Sequence, residues 1–214
     1  MRFLLCILAL CTLSWAEDRQ YVMIDSDMRD IDKDKEPELM VLYTVSSRSN
    51  QNFGLPRELI IYKTAADGAL IPWIRSKSAV LDAEAGGIMG DPFMGMSYEY
   101  DTLVISHFGG SQIKWSYTDK YRFQDNKMVL VEHISKSFDG GCHFKELVYD
   151  LNTGNASYTR NKSLHGYLKN CDQNIKTLNA KGHFPRLQPV SIENRHTFVP
   201  YEIMADLERS FYTQ

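Results

Sequence analysis

Asp30, Asp32 and Asp34 alternate with Ile31 and Lys33, and Glu36 and Glu38 carry the alternation on through D-I-D-K-D-K-E-P-E. Carboxylates two residues apart in a tight loop turn toward one point. A hard cation with six to eight oxygen ligands suits such a loop, and calcium is the ion expected. The spacing therefore predicts a calcium site built from Asp30, Asp32, Asp34, Glu36 and Glu38, with Asp25 and Asp27 close enough in sequence to contribute. Without an ion, crowding of like charges should raise some of these carboxyl pKa values. The loop is not an EF-hand, because Lys35 stands where that motif needs glycine and Val41 where it needs glutamate. A solvated acidic turn, partly neutralised by Lys33 and Lys35 and protecting a sheet edge, is the competing reading.

A second set of residues invites a test for catalysis. His107 and Ser111 are separated by Phe-Gly-Gly and could serve as base and nucleophile of a hydrolase. Such a pair needs hydrogen-bond contact and a third group that orients the base; Asp101 and Asp119 are the candidates. Ser111 lies in G-G-S rather than in a G-x-S-x-G elbow, and the remaining histidines are scattered without zinc spacing. A non-enzymatic binding protein is the preferred reading. Trp115, Tyr117, Tyr121 and Phe123 share one strand parity. They form either the hydrophobic core or an exposed platform for an envelope glycan, a small molecule or a protein, with Trp115, Tyr117 and Tyr121 as ligand-binding residues.

The elements that must position these groups read mainly as strands. Thr102–Phe108, Trp115–Gln124, Lys127–Phe138, His143–Leu151 and Ala156–Asn161 are rich in β-branched and aromatic residues at period two. Turn signals such as Q-D-N-K and N-T-G-N separate them, so neighbours should pair antiparallel. Glu38–Val45 and Arg57–Thr64 predict a further hairpin, with L-I-P-W-I-R as a short addition. Ala79–Ala85 predicts a helical turn or two, Asn170–Val199 an irregular stretch, and Tyr201–Phe211 a short C-terminal helix preceded by Pro200. The fold class expected is mainly β, an antiparallel meander or sandwich in a single domain over residues 17–214.

Arg2 followed by an apolar run from Phe3 to Leu13 and by Ser14-Trp15-Ala16 predicts a secretory signal peptide over residues 1–16. The run is too short for a membrane span. A periplasmic or secreted protein follows, and Cys142 and Cys171 are then expected to form one disulfide. The formal charge of −3 gives no electrostatic footprint for nucleic acid. A small, exported, acidic chain without a catalytic constellation is in the class of proteins that mask a partner in the cell envelope, as immunity proteins do.

Two local resemblances add to this. The acidic loop resembles a single calcium loop of FG-GAP/VCBS-type repeats, with Lys35 in place of the glycine and Glu38 in place of the last aspartate. The segment with Gly90, Asp91, Pro92 and Phe93, then His107, Phe108, Gly109, Gly110 and Ser111, then Trp115, Tyr121, Arg122 and Phe123 resembles a group of uncharacterised exported bacterial proteins. That resemblance implies an exported β protein and no particular activity.

Overall fold

The computed structural model describes residues 20–46, 54–139, 143–162, 177–185 and 188–212. The expected signal peptide and the expected Cys142–Cys171 disulfide lie outside the described residues. In chain order the strands are β1 (Gln20–Arg29), β2 (Glu38–Ser46), β3 (Arg57–Thr64), β4 (Leu70–Ser76), β5 (Phe93–Glu99), β6 (Thr102–Gly110), β7 (Ile113–Gln124), β8 (Lys127–Asp139), β9 (His143–Asp150), β10 (Asn155–Lys162) and β11 (Leu178–His183). Helix α1 (Pro200–Tyr212) closes the described chain. No helix among the described residues is long and apolar enough to cross a membrane.

The strands form two antiparallel meanders, β1-β2-β3-β4 and β11-β10-β9-β8-β7-β6-β5, in which every neighbour in space is a neighbour in sequence. Short connections enforce this order, because a hairpin joins antiparallel strands with few residues. The two sheets share one core. Met40, Leu42, Leu59 and Ile61 of the smaller sheet meet Leu103, Ile105, Tyr121, Leu130, Leu147, Tyr149 and Tyr158 of the larger, all essentially buried. The arrangement is a β-sandwich-like domain with a short C-terminal helix, as the period-two alternation predicts.

Three strands escape the sequence reading. β1 is an edge strand whose Val22, Met23, Ile24 and Met28 are all exposed, so burial on one face never imposed an alternation. β5 carries Gly95 in the left-handed region (φ 137°), at a register shift against β6. β11 lies in the stretch expected to be irregular, which also holds a 3-10 segment, Ile192–Thr197. Ala79–Ala85 forms bends and a turn closed by Ala85 N–H on Asp82 O at 3.0 Å rather than a helix. Its role is packing: Ala79 and Val80 are buried.

The Ile192–Thr197 segment ties the layers together. Ser76 Oγ at the end of β4 donates to Ile192 O at 2.6 Å, and Leu130 N–H of β8 donates to Val190 O at 2.8 Å. This brings Arg195 over the inner face of the larger sheet.

Candidate functional site

The acidic loop connects β1 to β2. Lys33 (φ 67°) and Lys35 (φ 76°) adopt left-handed backbone, which lets the aspartates between and beside them fold back on the chain. Asp32 Oδ1 accepts from Asp34 N–H at 3.2 Å, and Asp34 Oδ1 accepts from Glu36 N–H at 2.8 Å. These are successive Asx turns, in which a short carboxylate caps the backbone two residues on. Asp30 Oδ2 accepts from Lys35 N–H at 3.0 Å, and Glu38 Oε2 from Ile31 N–H at 2.7 Å. Three carboxylates converge: Asp30, Asp32 and Glu38 each place an oxygen within 4.8 Å of the others, close enough to hold a metal ion. Asp34 stands beside this group and Glu36 is exposed.

A cation from the chain itself already serves these oxygens. Lys63 Nζ, from β3, bonds Asp32 Oδ2, lies 3.1 Å from Asp34 Oδ2 and 3.5 Å from Glu38 Oε1. Its ammonium also sits 4.5 Å from the centre of the Trp73 ring, a cation–π contact. The Asp32 hydrogen bond, with help from Asp34, raises the Lys63 pKa against the effect of burial. Backbone and Lys63 hydrogen bonds lower the Asp34 pKa, whereas burial raises that of Glu38. Of the oxygens on Asp30, Asp32, Asp34 and Glu38, Asp30 Oδ1 is the one buried without a partner. Lys33 pairs with Asp101 at 2.6 Å in the β5–β6 turn, so it acts outside the cluster.

On the inner face of β7, Trp115, Tyr117, Asp119 and Tyr121 follow one another. Trp115 and Tyr117 lie stacked, ring centres 5.9 Å apart and 15° from parallel. Trp115 can lie flat because Gly109 is its partner across β6–β7. A Cβ at Gly109 would stand 2.6 Å from Trp115 Cζ2 and 2.8 Å from Gly86 Cα. The G-G-S…W spacing therefore has a packing cause. A cavity of about 310 Å³ opens against this pair. Leu81 and the α1 residues Pro200, Tyr201 and Met204 form the remaining apolar walls, and Ser135, Ser137 and Lys145 are the polar residues of the same sheet face, whereas Lys136 borders the cavity with its backbone and pairs with Glu146 on the opposite face. The volume is at the lower end of the range for small-molecule sites. Tyr121 lies deeper, fully buried in the core, and is not part of the cavity lining.

Behind Tyr117 sits a buried polar cluster. Asp119, fully buried, has His133 Nδ1 at 2.6 Å from Oδ1 and accepts from Arg195 Nε on Oδ2 at 2.5 Å. The Arg195 guanidinium lies 5.4 Å from the Tyr117 ring centre and 5.2 Å from that of Phe198. Burial pushes the Asp119 carboxyl up, but the His133 hydrogen bond and the Arg195 charge outweigh it and hold it below its ordinary value. Burial raises the Tyr117 and Tyr121 phenols, so both stay neutral. This ion pair fixes the floor on which the aromatic wall rests.

His107 and Ser111 are not brought together. His107 is buried, and its Nε2 accepts from Leu81 N–H at 3.2 Å. Ser111 is exposed in the β6–β7 turn, four residues along the strand, a separation of about 13 Å by strand geometry. Burial depresses the His107 pKa to about 4.

Sequence reasoning missed Lys63, Ser135, Lys145 and Arg195. Ion-pair partners on distant strands leave no local spacing. A signal did exist for the polar cluster: Asp119 occupies an inward position between Tyr117 and Tyr121, where an unpaired carboxylate would be very costly. No family model matches this chain, and neither a curated protein nor a solved structure matches it significantly.

Proposed function

We propose that this is a non-enzymatic binding protein that admits a small, mainly apolar molecule to the cavity on the aromatic face of the larger sheet. The observation that carries this reading is the stacked Trp115–Tyr117 pair, which faces about 310 Å³ of space instead of packed side chains. Apolar lining with a few polar groups is the usual make-up of a ligand site. Few polar atoms favour an apolar guest over a free glycan, whose hydroxyls would go unpaired. The test uses the neutral fluorescent probe N-phenyl-1-naphthylamine. Its emission should rise on mixing with the native protein and fall back in Trp115→Ala and in Met204→Trp, which fills the space. No enhancement with native protein, or equal enhancement with both variants, rejects the cavity.

A protein partner is a second reading, supported by β1. Val22, Met23, Ile24 and Met28 of this strand form an exposed apolar patch, while its outer edge meets β5, where Asp25 Oδ2 accepts from Met96 N–H at 3.2 Å, so a partner would pack on the side chains. Partner masking in the cell envelope then requires β1, and Ile24→Lys should abolish co-purification of the partner while leaving the melting midpoint within about 1 °C. Export to the periplasm or medium belongs to the same proposal. Intact mass of the secreted form should begin at Glu17 and be lighter by one pair of hydrogens for the Cys142–Cys171 bond. Calcium is the divalent ion that suits the oxygens of Asp30, Asp32 and Glu38, and it enters only when Lys63 leaves.

A further inference from the structure

We infer that the outer face of the smaller sheet is the docking surface for a second copy of this chain, packed face to face in a two-fold pair. The inference is independent of the cavity. It rests on the second reading above, in which a partner packs on β1 side chains, and names that partner.

An antiparallel sheet that covers a core on one side normally turns polar residues to the other. The larger sheet does so: β7 points Ser116, Thr118, Lys120 and Arg122 away from the core. The smaller sheet does not. Register places Tyr21, Met23 and Met28 of β1 beside Val45, Tyr43 and Leu39 of β2 on its outer side. On the next strand Val41 faces Ile60 and Leu39 faces Tyr62. Pro72 and Leu70 carry the face onto β4. E-L-M-V-L-Y-T-V and R-E-L-I-I-Y are nearly unbroken apolar runs for this reason: both faces of those strands are apolar.

The centre of the face is a roof of tyrosines. Tyr43 and Tyr62 lie at opposite ends of the Val41–Ile60 pair, and their hydroxyls meet at 3.3 Å, so the rings span that pair and Val41 and Ile60 are buried. Tyr21 packs edge-on against Tyr43, ring centres 5.5 Å apart. The flanks are open: Met23 and Met28 on one side and Leu70 on the other are each half exposed or more. Among the described residues no helix or strand lies on this face. Helix α1 packs on β10 and β11, and Ile192–Thr197 meets β4 through Ser76, on the inner side.

Three features select a second copy as the occupant. The first is charge. The face holds one acid and one base, Glu58 and Arg75, already bonded at 3.1 Å, and the Tyr21 hydroxyl donates to the other Glu58 oxygen. It is therefore neutral in a chain of formal charge −3, and two copies meet there without the repulsion the rest of their surfaces bring. The second is pattern. A tyrosine centre between apolar flanks matches its own image, as a two-fold interface requires. The third is extent. Four strands about 4.8 Å apart and about eight residues long cover roughly 500 Å², hence about 1,000 Å² for the pair, the least a specific interface needs. Tyrosine, methionine and arginine are also the side chains that interfaces favour.

The experiment is sedimentation velocity of the full chain from micromolar to submillimolar concentration. The native protein should sediment as a dimer at the upper end. Met23→Lys and Met28→Lys alter open positions and should fold normally by far-ultraviolet dichroism. Each should weaken the dimer about tenfold or more, because it sets an unpaired charge in the interface. The double variant should stay monomeric. Ile88→Lys and Tyr201→Lys, exposed but off this face, should dimerise as the native protein does. A native monomer at every concentration overturns the second copy, while loss of a co-purified protein in Ile24→Lys would still uphold the β1 patch. A dimer that survives Met23→Lys and Met28→Lys, or that Tyr201→Lys breaks, uses another surface and overturns the inference.

Discussion

Acidification should destabilise this protein through one buried imidazole. His107 is almost fully enclosed and neutral, its Nε2 accepting the Leu81 N–H and its Nδ1 without a partner. Its pKa falls from an ordinary 6.5 to about 4, burial being the main cause, opposed by Asp119 and Asp91 and reinforced by Arg195. Below pH 6.5 the unfolded chain takes up a proton that the folded chain refuses, so stability is full above that pH and declines until the folded imidazole titrates. The expected loss at pH 5 is about 2 kcal/mol relative to pH 7.5, approaching about 3 kcal/mol near pH 4. Carboxylates begin to titrate at the acid end of this range, so the measurement must be differential. Urea melts of native protein and His107→Gln from pH 7.5 to 4.5 provide it, because glutamine keeps an acceptor for Leu81 but has no proton to gain. The native curve should fall more steeply by the amount above. Parallel curves would show that His107 is hydrated or partnered in its charged form, and would refute the burial argument.

Three further variants have expected outcomes. Lys63→Met leaves the Asp32–Asp34–Glu38 carboxylates without their ammonium, and since Glu38 is buried the variant should lose about 2 kcal/mol in urea melts. The same variant should gain thermal stability from calcium over chelator, whereas the native midpoint should not move; a large calcium shift in native protein would contradict the Lys63 assignment. Gly109→Ala drives a methyl into Trp115 and Gly86, so about 1–3 kcal/mol of stability and the near-ultraviolet dichroism of Trp115 should be lost together. Glu208→Gln weakens the clasp made by Tyr158, Lys145 and Arg160, and amides of α1 should then exchange faster than those of β8, readable by hydrogen exchange.

Much of the fold was legible because one face of most strands is buried. β6 through β10 alternate, and Q-D-N-K and N-T-G-N mark where the chain turns; Asp125 and Asn126 take up left-handed backbone there, as such residues readily do. α1 was legible from Ile203, Met204 and Leu207, which turn toward the core. β1 was not, because its apolar residues are the exposed ones and its half-buried positions are Asp25 and Asp27, so no apolar period marks it. In the acidic loop the convergence was legible and the counter-charge was not. Lys63 lies far along the chain on the second hairpin strand, and no spacing rule connects an ammonium there to Asp32, Asp34 and Glu38. The aromatic row on β7 was legible as a face, but whether it met core or space depended on α1, which shields Tyr121's neighbours only in part.

The placement of that ammonium bears on how the chain assembles. Until β3 lies beside β2, the bend joining β1 to β2 is a knot of repelling anions, and the two strands gain little by meeting. The β2–β3 hairpin is therefore expected to form before β1 docks, although β1 leaves the ribosome first. β1 is thus expected to join its sheet after the hairpin that follows it, and to leave it before that hairpin opens.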